Sequence, residues 1–172
     1  MSDSGPRIRM AELTDAVSLA GIYNHYVLTS YATFEIDPIE IEEMERRIDD
    51  SLTGGLPFLT AANDNDICGY AYAQPYKLRA AYQHSAEISV YVCPESKAKG
   101  IGTALYEVLF ERLRGSGVHA VIAGISLPNE ASIRLHERFG MTKVAHFLEV
   151  GRKFDRWIDV GYWEIILGEI SF

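Results

Sequence analysis

The chain has 172 residues, of which 48% are apolar and 23% charged, and it carries a net charge of −8 at pH 7. That length supports one domain with a sizeable core. Nucleic acid is excluded as an expected partner, because phosphate-backbone binding needs a concentrated basic face and the sequence has no long Lys/Arg run.

Cys68 and Cys93 lie in apolar, strand-like runs without CxxC spacing or a neighbouring His cluster. They read as core thiols, and no metal site is expected. Residues 1–9 contain no apolar h-region, and no apolar stretch approaches the roughly 20 residues that span a bilayer. A cytoplasmic protein with no membrane partner is therefore expected. No repeat, linker or low-complexity segment marks a boundary, so a single domain over residues 1–172 is expected.

Residues 7–11 read as a first strand. Thr14 is the expected cap of a helix whose apolar face is Ala16, Leu19, Ala20, Tyr23, Tyr26 and Val27, at 3.6-residue spacing. Residues 31–36 are irregular. Asp37 as N-cap and Pro38 at the first helical position predict a second helix, with Ile41, Met44, Ile48 and Leu52 facing inward. Residues 58–62 and 67–74 form a predicted hairpin around a polar Asn-Asp turn. Residues 76–84 are polar and basic. Residues 86–93 form an apolar strand interrupted by Glu87 and stopped by Pro94. A loop over 96–102 opens a helix marked by Ile101, Ala104, Leu105, Val108, Leu109 and Leu113. Residues 118–125 are a buried strand, Asn129 opens a helix closed by Gly140, and residues 144–150 and 160–167 are two final strands. The order β-α-α-β-β-β-α-β-α-β-β predicts an α/β (α+β) fold with a twisted, mixed sheet flanked by helices.

Lys97-Ala98-Lys99-Gly100-Ile101-Gly102-Thr103 is the strongest local signal. Glycines at the mouth of a helix let the backbone approach a ligand closely, and the first-turn amides with the positive end of the helix dipole suit a pyrophosphate. The segment is neither a Walker loop nor a dinucleotide fingerprint. A plain strand-to-helix turn is the other reading of these residues taken alone.

The surrounding residues carry a resemblance. The loop resembles the acyl-CoA signature of the GNAT superfamily, Arg/Gln-x-x-Gly-x-Gly/Ala, with Lys97 where Arg or Gln is usual. Residues 129–141 resemble the same family's Asn-x-x-Ala-x-x-Leu-Tyr-x-x-x-Gly-Phe element, with His136 in the Tyr slot. Residues 84–92, followed by Leu135-His136-Glu137-Arg138-Phe139-Gly140, are similar to the phosphinothricin and methionine sulfoximine N-acetyltransferases. So are Ile22-Tyr23-Asn24, Ala32-Thr33-Phe34-Glu35 and residues 153–159. The resemblance covers roughly residues 7–167.

It implies an acetyl-CoA-dependent N-acetyltransferase acting on the primary amine of a small, amino-acid-like substrate, and a homodimer. It implies that Ala98, Lys99, Gly100, Ile101, Gly102 and Thr103 hold the cofactor phosphates. The backbone of Val90, Tyr91 and Val92 would meet the cofactor, and Asn129 would bond its pantetheine arm. It implies substrate contacts from Phe34, Lys77, Leu78, Arg79, Glu87, Ile88 and Ser89. Tyr76 and Tyr91 could add apolar walls, or belong to the core.

Two side chains carry the chemistry in this reading. Glu87 breaks an apolar strand, where desolvation favours a carboxylate that takes up protons more readily, and it is the expected general base. A solvent-facing or ion-paired Glu87 is the alternative. His136 lies seven residues after Asn129, two turns on and so on the same helix face, and is the second catalytic candidate. A satisfied core histidine is the alternative there. A peptide N-terminal acetyltransferase and a non-catalytic acetyl-CoA sensor remain open as functions.

Overall fold

The computed structural model describes residues 5–63, 66–96 and 99–168. Its elements follow the expected order: β1 (Arg7–Met10), α1 (Ala16–Thr29), α2 (Ile41–Thr53), β2 (Phe58–Asn63), β3 (Asp66–Pro75), β4 (Ser85–Val92), α3 (Ile101–Arg114), β5 (Ala120–Ser126), α4 (Glu130–Arg138), β6 (Thr142–Lys153) and β7 (Arg156–Ile166). The fold is mixed α/β, as the order implied. The backbone packs into two compact units that interleave along the chain.

The first unit takes the chain up to Tyr23, with Ile39–Gln74 and Ser89–Ser116. β1 pairs antiparallel with β2, placing Ile8 opposite Ala61, and β2 pairs antiparallel with β3, placing Phe58 opposite Tyr72. The amphipathic helix α3 packs on β1 and β2. Leu105, Tyr106, Leu109 and Leu113 on its inner face are fully buried, as are Met44 and Ile48 of α2. Burying such side chains contributes about 1.5–3 kcal/mol each, before the entropy of ordering the chain is set against it.

Two helix starts differ from expectation. Thr14 does not cap α1. A 3-10 turn over Leu13–Asp15 leads into the helix, and Asp15 accepts from the Glu12 backbone N–H at 2.8 Å and from Arg9 at 2.7 Å. Asp37 and Pro38 stay in the loop. α2 starts at Ile41 with Glu40 extended before it, and the first bond of the turn runs from Met44 N–H to the Glu40 carbonyl. Glu42 and Glu43 in that first turn meet the positive end of the helix dipole, which favours the later start. Ile41 is consequently exposed rather than inward.

The second unit takes Asn24–Pro38, Pro75–Ile88 and the chain from Gly117 onward. β5 runs parallel to β4, with Glu87 opposite Ile122, and antiparallel to β7, with Gly124 opposite Tyr162. β6 and β7 form a long antiparallel hairpin whose register shifts between Phe147 and Gly151. α4 contacts β5, and Trp163 Nε1–H of β7 donates to Glu137 of α4 at 3.2 Å. Both hairpin strands are longer than the sequence suggested, because most of β6 is exposed and reads as polar at its ends.

Candidate active site

Gly100 stands at the N-cap of α3 with φ of 79°, a left-handed conformation that a residue with a Cβ adopts only at a cost. Among the described residues nothing lies within 4 Å of the place a Cβ would occupy. No side chain caps α3, and its first turn holds no acidic residue. The first intrahelical bond runs from Ala104 N–H to the Gly100 carbonyl at 2.9 Å, which leaves the amides of Ile101, Gly102 and Thr103 directed out of the helix mouth. An uncapped 14-residue helix with this entrance fits a pyrophosphate. Lys99 is exposed beside it, whereas Lys97 and Ala98 lie outside the described residues. Val90 and Val92 are half-buried, and the Tyr91 ring is in the core, edge-on to Tyr23 at 5.2 Å. Tyr91 can therefore meet a ligand only through its backbone.

Within the second unit, a cleft of about 290 Å³ is lined by Tyr31, Ala32, Phe34, Glu87, Gly124, Ser126, Val150, Val160 and Tyr162. Glu87 enters it because its neighbours Ala86 and Ile88 on β4 are buried on the other face of the strand. Across the β5–β7 ladder, Gly124 and Tyr162 face one another at the same level. Burial, the Glu87 charge and Tyr76 together raise the Tyr162 pKa above its ordinary 10.0, so the phenol keeps its proton at neutral pH beside the carboxylate.

The substrate contacts divide. Phe34 and Glu87 are brought together in the cleft. Lys77, Leu78 and Arg79 do not line it. Lys77 Nζ lies over the rings of Tyr76 and Tyr82 at 4.9 and 5.3 Å, and Leu78 is 98% exposed. Ile88 is a core residue, since strand alternation turns it away from the Glu87 face, and Ser89 does not reach the lining either. Asn129 caps α4, its Oδ1 accepting from Ser132 N–H at 3.2 Å.

His136 is 3% exposed, and the same helix turn engages it. Its Nδ1–H donates to the Ser132 carbonyl at 2.7 Å, which places a proton on Nδ1. Burial lowers its pKa, partly opposed by the Ser132 bond. His136 does not line the Glu87 cleft, so the catalytic part expected of it is not matched by its position there.

Gly124, Ser126, Val150, Val160 and Tyr162 were not read as site residues from the sequence. One signal was present: Gly124 interrupts the apolar run Ile122-Ala123-Gly124-Ile125, and a glycine inside a strand marks close approach of a ligand or side chain.

A mixed α/β chain of this element order, with a glycine-led helix start suited to a pyrophosphate, fits the class of proteins that use acyl-CoA. The family model for the acetyltransferase (GNAT) domain matches residues 8–161, and the chain belongs to that family. It is 40% identical over 161 residues to a phosphinothricin N-acetyltransferase of Streptomyces coelicolor, covering 92% of this chain and 94% of the relative. It is 33% identical over 162 residues to an L-methionine sulfoximine/L-methionine sulfone acetyltransferase of Salmonella typhimurium, covering 94% and 95%. The solved phosphinothricin acetyltransferase of Sinorhizobium meliloti, in complex with acetyl-CoA, superposes with a TM-score of 0.92 at 33% identity, covering 96% of this chain and 90% of that one. The chain is thus an N-acetyltransferase that uses acetyl-CoA as co-substrate.

Proposed function

We propose that the acceptor is the primary amine of a small, amino-acid-like molecule of the phosphinothricin, methionine sulfoximine or methionine sulfone kind, and that it binds in the Glu87 cleft. The observation that carries this reading is a cleft of about 290 Å³ lined by both the Glu87 carboxylate and the Tyr162 phenol, near the lower limit for small-molecule sites. The names of the relatives at 33–40% identity support the substrate class. One acyl-CoA N-acyltransferase domain over the whole chain is part of the same proposal.

In this reading the co-substrate supplies the acetyl thioester. The amides of Ile101, Gly102 and Thr103, with Lys99, hold its phosphates, and the backbone of Val90–Val92 and the Asn129 side chain meet its arm. An α-ammonium has a pKa near about 8, so only a minority is neutral at pH 7. Glu87 takes the proton as the amine nitrogen bonds to the acetyl carbon. The carbon–sulfur bond then breaks, the Tyr162 hydroxyl protonates the leaving thiolate, and the proton that Glu87 took replaces the one Tyr162 gave. His136 braces α4 through its bond to Ser132 and thereby positions the cap residue Asn129.

The exposed apolar side chains of the β6–β7 hairpin, including Phe147, Leu148 and Trp157, support a homodimer formed through the hairpin. Among the described residues no helix is long and apolar enough to cross a membrane.

The test is free-thiol release from acetyl-CoA with a panel of small amines and N-terminal peptides. Turnover that requires a small amine supports the reading. Turnover only with peptides moves the acceptor to a protein N-terminus. Tight acetyl-CoA binding without turnover across the panel supports a sensor instead.

A further inference from the structure

One wall of the Glu87 cleft is an irregular segment. Residues 31–36 form no helix or strand, yet Tyr31, Ala32 and Phe34 face the cleft. Two local bonds shape it: Ala32 N–H donates to Ser30 Oγ at 3.1 Å, and Glu35 N–H donates to Thr33 Oγ1 at 3.3 Å.

The anchor comes from the far end of β6. Lys153 is 3% exposed, and its Nζ donates to the Thr33 carbonyl at 2.8 Å, joining residues 120 positions apart. A lysine is almost never buried to this degree without a partner, because desolvating an ammonium is costly. The partners here are that carbonyl, the Glu35 charge and the Phe154 ring 5.1 Å away. Two residues earlier, Gly151 accepts the Phe34 ring directly on its backbone. A Cβ at Gly151 would lie 2.3 Å from Phe34 Cε2, so any side chain there would displace the ring from its present place. Phe154 also meets Tyr31 edge-on at 5.6 Å.

We propose that Lys153 and Gly151 are a positioning pair: together they fix the 31–36 segment as a wall of the acceptor cleft and so set the size of amine that fits. This inference rests on the cleft being the amine site. Neither residue touches the substrate in this account. Lys153 acts through Thr33, and Gly151 acts through Phe34. A buried lysine kept only to fill the core would be replaceable by a methionine of similar length without any change in substrate choice.

The experiment uses the two amines of different size that the full-length enzyme acetylates fastest. The variants are Lys153→Met, Gly151→Ala and, as a direct obstruction of the cleft, Ala32→Trp. Each is measured for amine KM, kcat, acetyl-CoA KM and melting temperature. Lys153→Met is expected to raise the amine KM about tenfold, to change the ratio of kcat/KM between the two amines at least about threefold, and to leave kcat and acetyl-CoA KM within about twofold. Gly151→Ala, which keeps the lysine, is expected to show the same split, and it carries the test if Lys153→Met does not fold. Lost selectivity should return in Gly151→Ala combined with Phe34→Leu. If Ala32→Trp raises the amine KM while both positioning variants leave KM and selectivity unchanged, the inference is overturned and the cleft assignment stands. If Ala32→Trp also has no effect, or no small amine is acetylated, the cleft is not the amine site and both fall.

Discussion

Gly124 stands opposite Tyr162 across the β5–β7 ladder, and a Cβ at Gly124 would lie 3.3 Å from the Tyr162 ring and 3.7 Å from Glu87 Oε1. The glycine is the floor on which the carboxylate and the phenol meet. A methyl group there would press the Tyr162 ring by a few tenths of an ångström while resting in ordinary contact with Glu87. We expect Gly124→Ala to lower kcat/KM for the amine by roughly tenfold, with little change in acetyl-CoA affinity, because misplacement by a fraction of an ångström is costly at a reacting centre. Steady-state kinetics with each substrate varied in turn checks this, and wild-type kcat/KM would contradict the crowding.

Glu87→Gln keeps the shape of the side chain and removes its capacity to take a proton. Turnover should fall roughly 100- to 10,000-fold, while acetyl-CoA binding measured by calorimetry stays near that of the wild type. Equal activity of the variant across the pH range would remove Glu87 from the base role.

Gly100→Val places a branched residue at φ of 79°, where the left-handed conformation costs a residue with a Cβ roughly 1–2 kcal/mol. The open space at the helix mouth would also be filled by the branches. Acetyl-CoA affinity should drop by at least about tenfold, and the melting temperature should fall modestly. Unchanged affinity would show that the cofactor enters elsewhere.

His136 makes stability depend on pH. Burial lowers its folded-state pKa below the ordinary 6.5, so between that lowered value and 6.5 the unfolded chain binds more protons than the folded one. Stability contributed by the neutral imidazole is therefore full above about pH 6.5 and is lost as the pH falls through the folded pKa. The melting temperature of the wild type should decline on acidification from about pH 7 to about pH 5, more steeply than that of His136→Asn. Parallel curves for the two proteins would contradict this.

Asp159 holds the irregular stretch of the hairpin. Its Oδ1 accepts from Glu149 N–H at 2.8 Å, and its Oδ2 pairs with His146 Nε2 at 2.8 Å, while Glu149 has φ of 51°. Val150, the next residue, lines the cleft. Asp159→Ala is expected to lower the melting temperature and raise the amine KM without altering acetyl-CoA KM. A variant with normal amine kinetics would detach the bulge from substrate binding.

The element order was legible because hydrophobic periodicity switches cleanly between 3.6 and 2 along this chain. The place of Gly100 at the start of α3 and of Glu87 within β4 was legible for the same reason, as each breaks a strong local pattern at an element boundary or inside an apolar run. Asp37-Pro38 misled because its N-cap signal is local, whereas the helix begins where Glu42 and Glu43 meet the dipole. Tyr162 and Val160 carry no such mark. They reach the cleft only through the β5–β7 register, which pairs residues 38 positions apart at Gly124 and Tyr162. Lys153 carries no such mark either, because its burial depends on a loop 120 positions earlier. For Lys77, Leu78 and Arg79 the sequence is silent on geometry, because a basic, exposed segment looks the same whether it faces a ligand or stacks on neighbouring tyrosines.

Strand β4 carries Glu87 between two core residues, Ala86 and Ile88, so its side chains alternate between ligand and interior with a period of two. Adding or deleting one residue upstream of Glu87 within β4 would swap the two faces, sending the carboxylate into the core and Ile88 into the cleft. Divergence in this stretch is consequently confined to exchange of one side chain for another. A change of acceptor specificity by lengthening or shortening the chain is left to the loops at its ends.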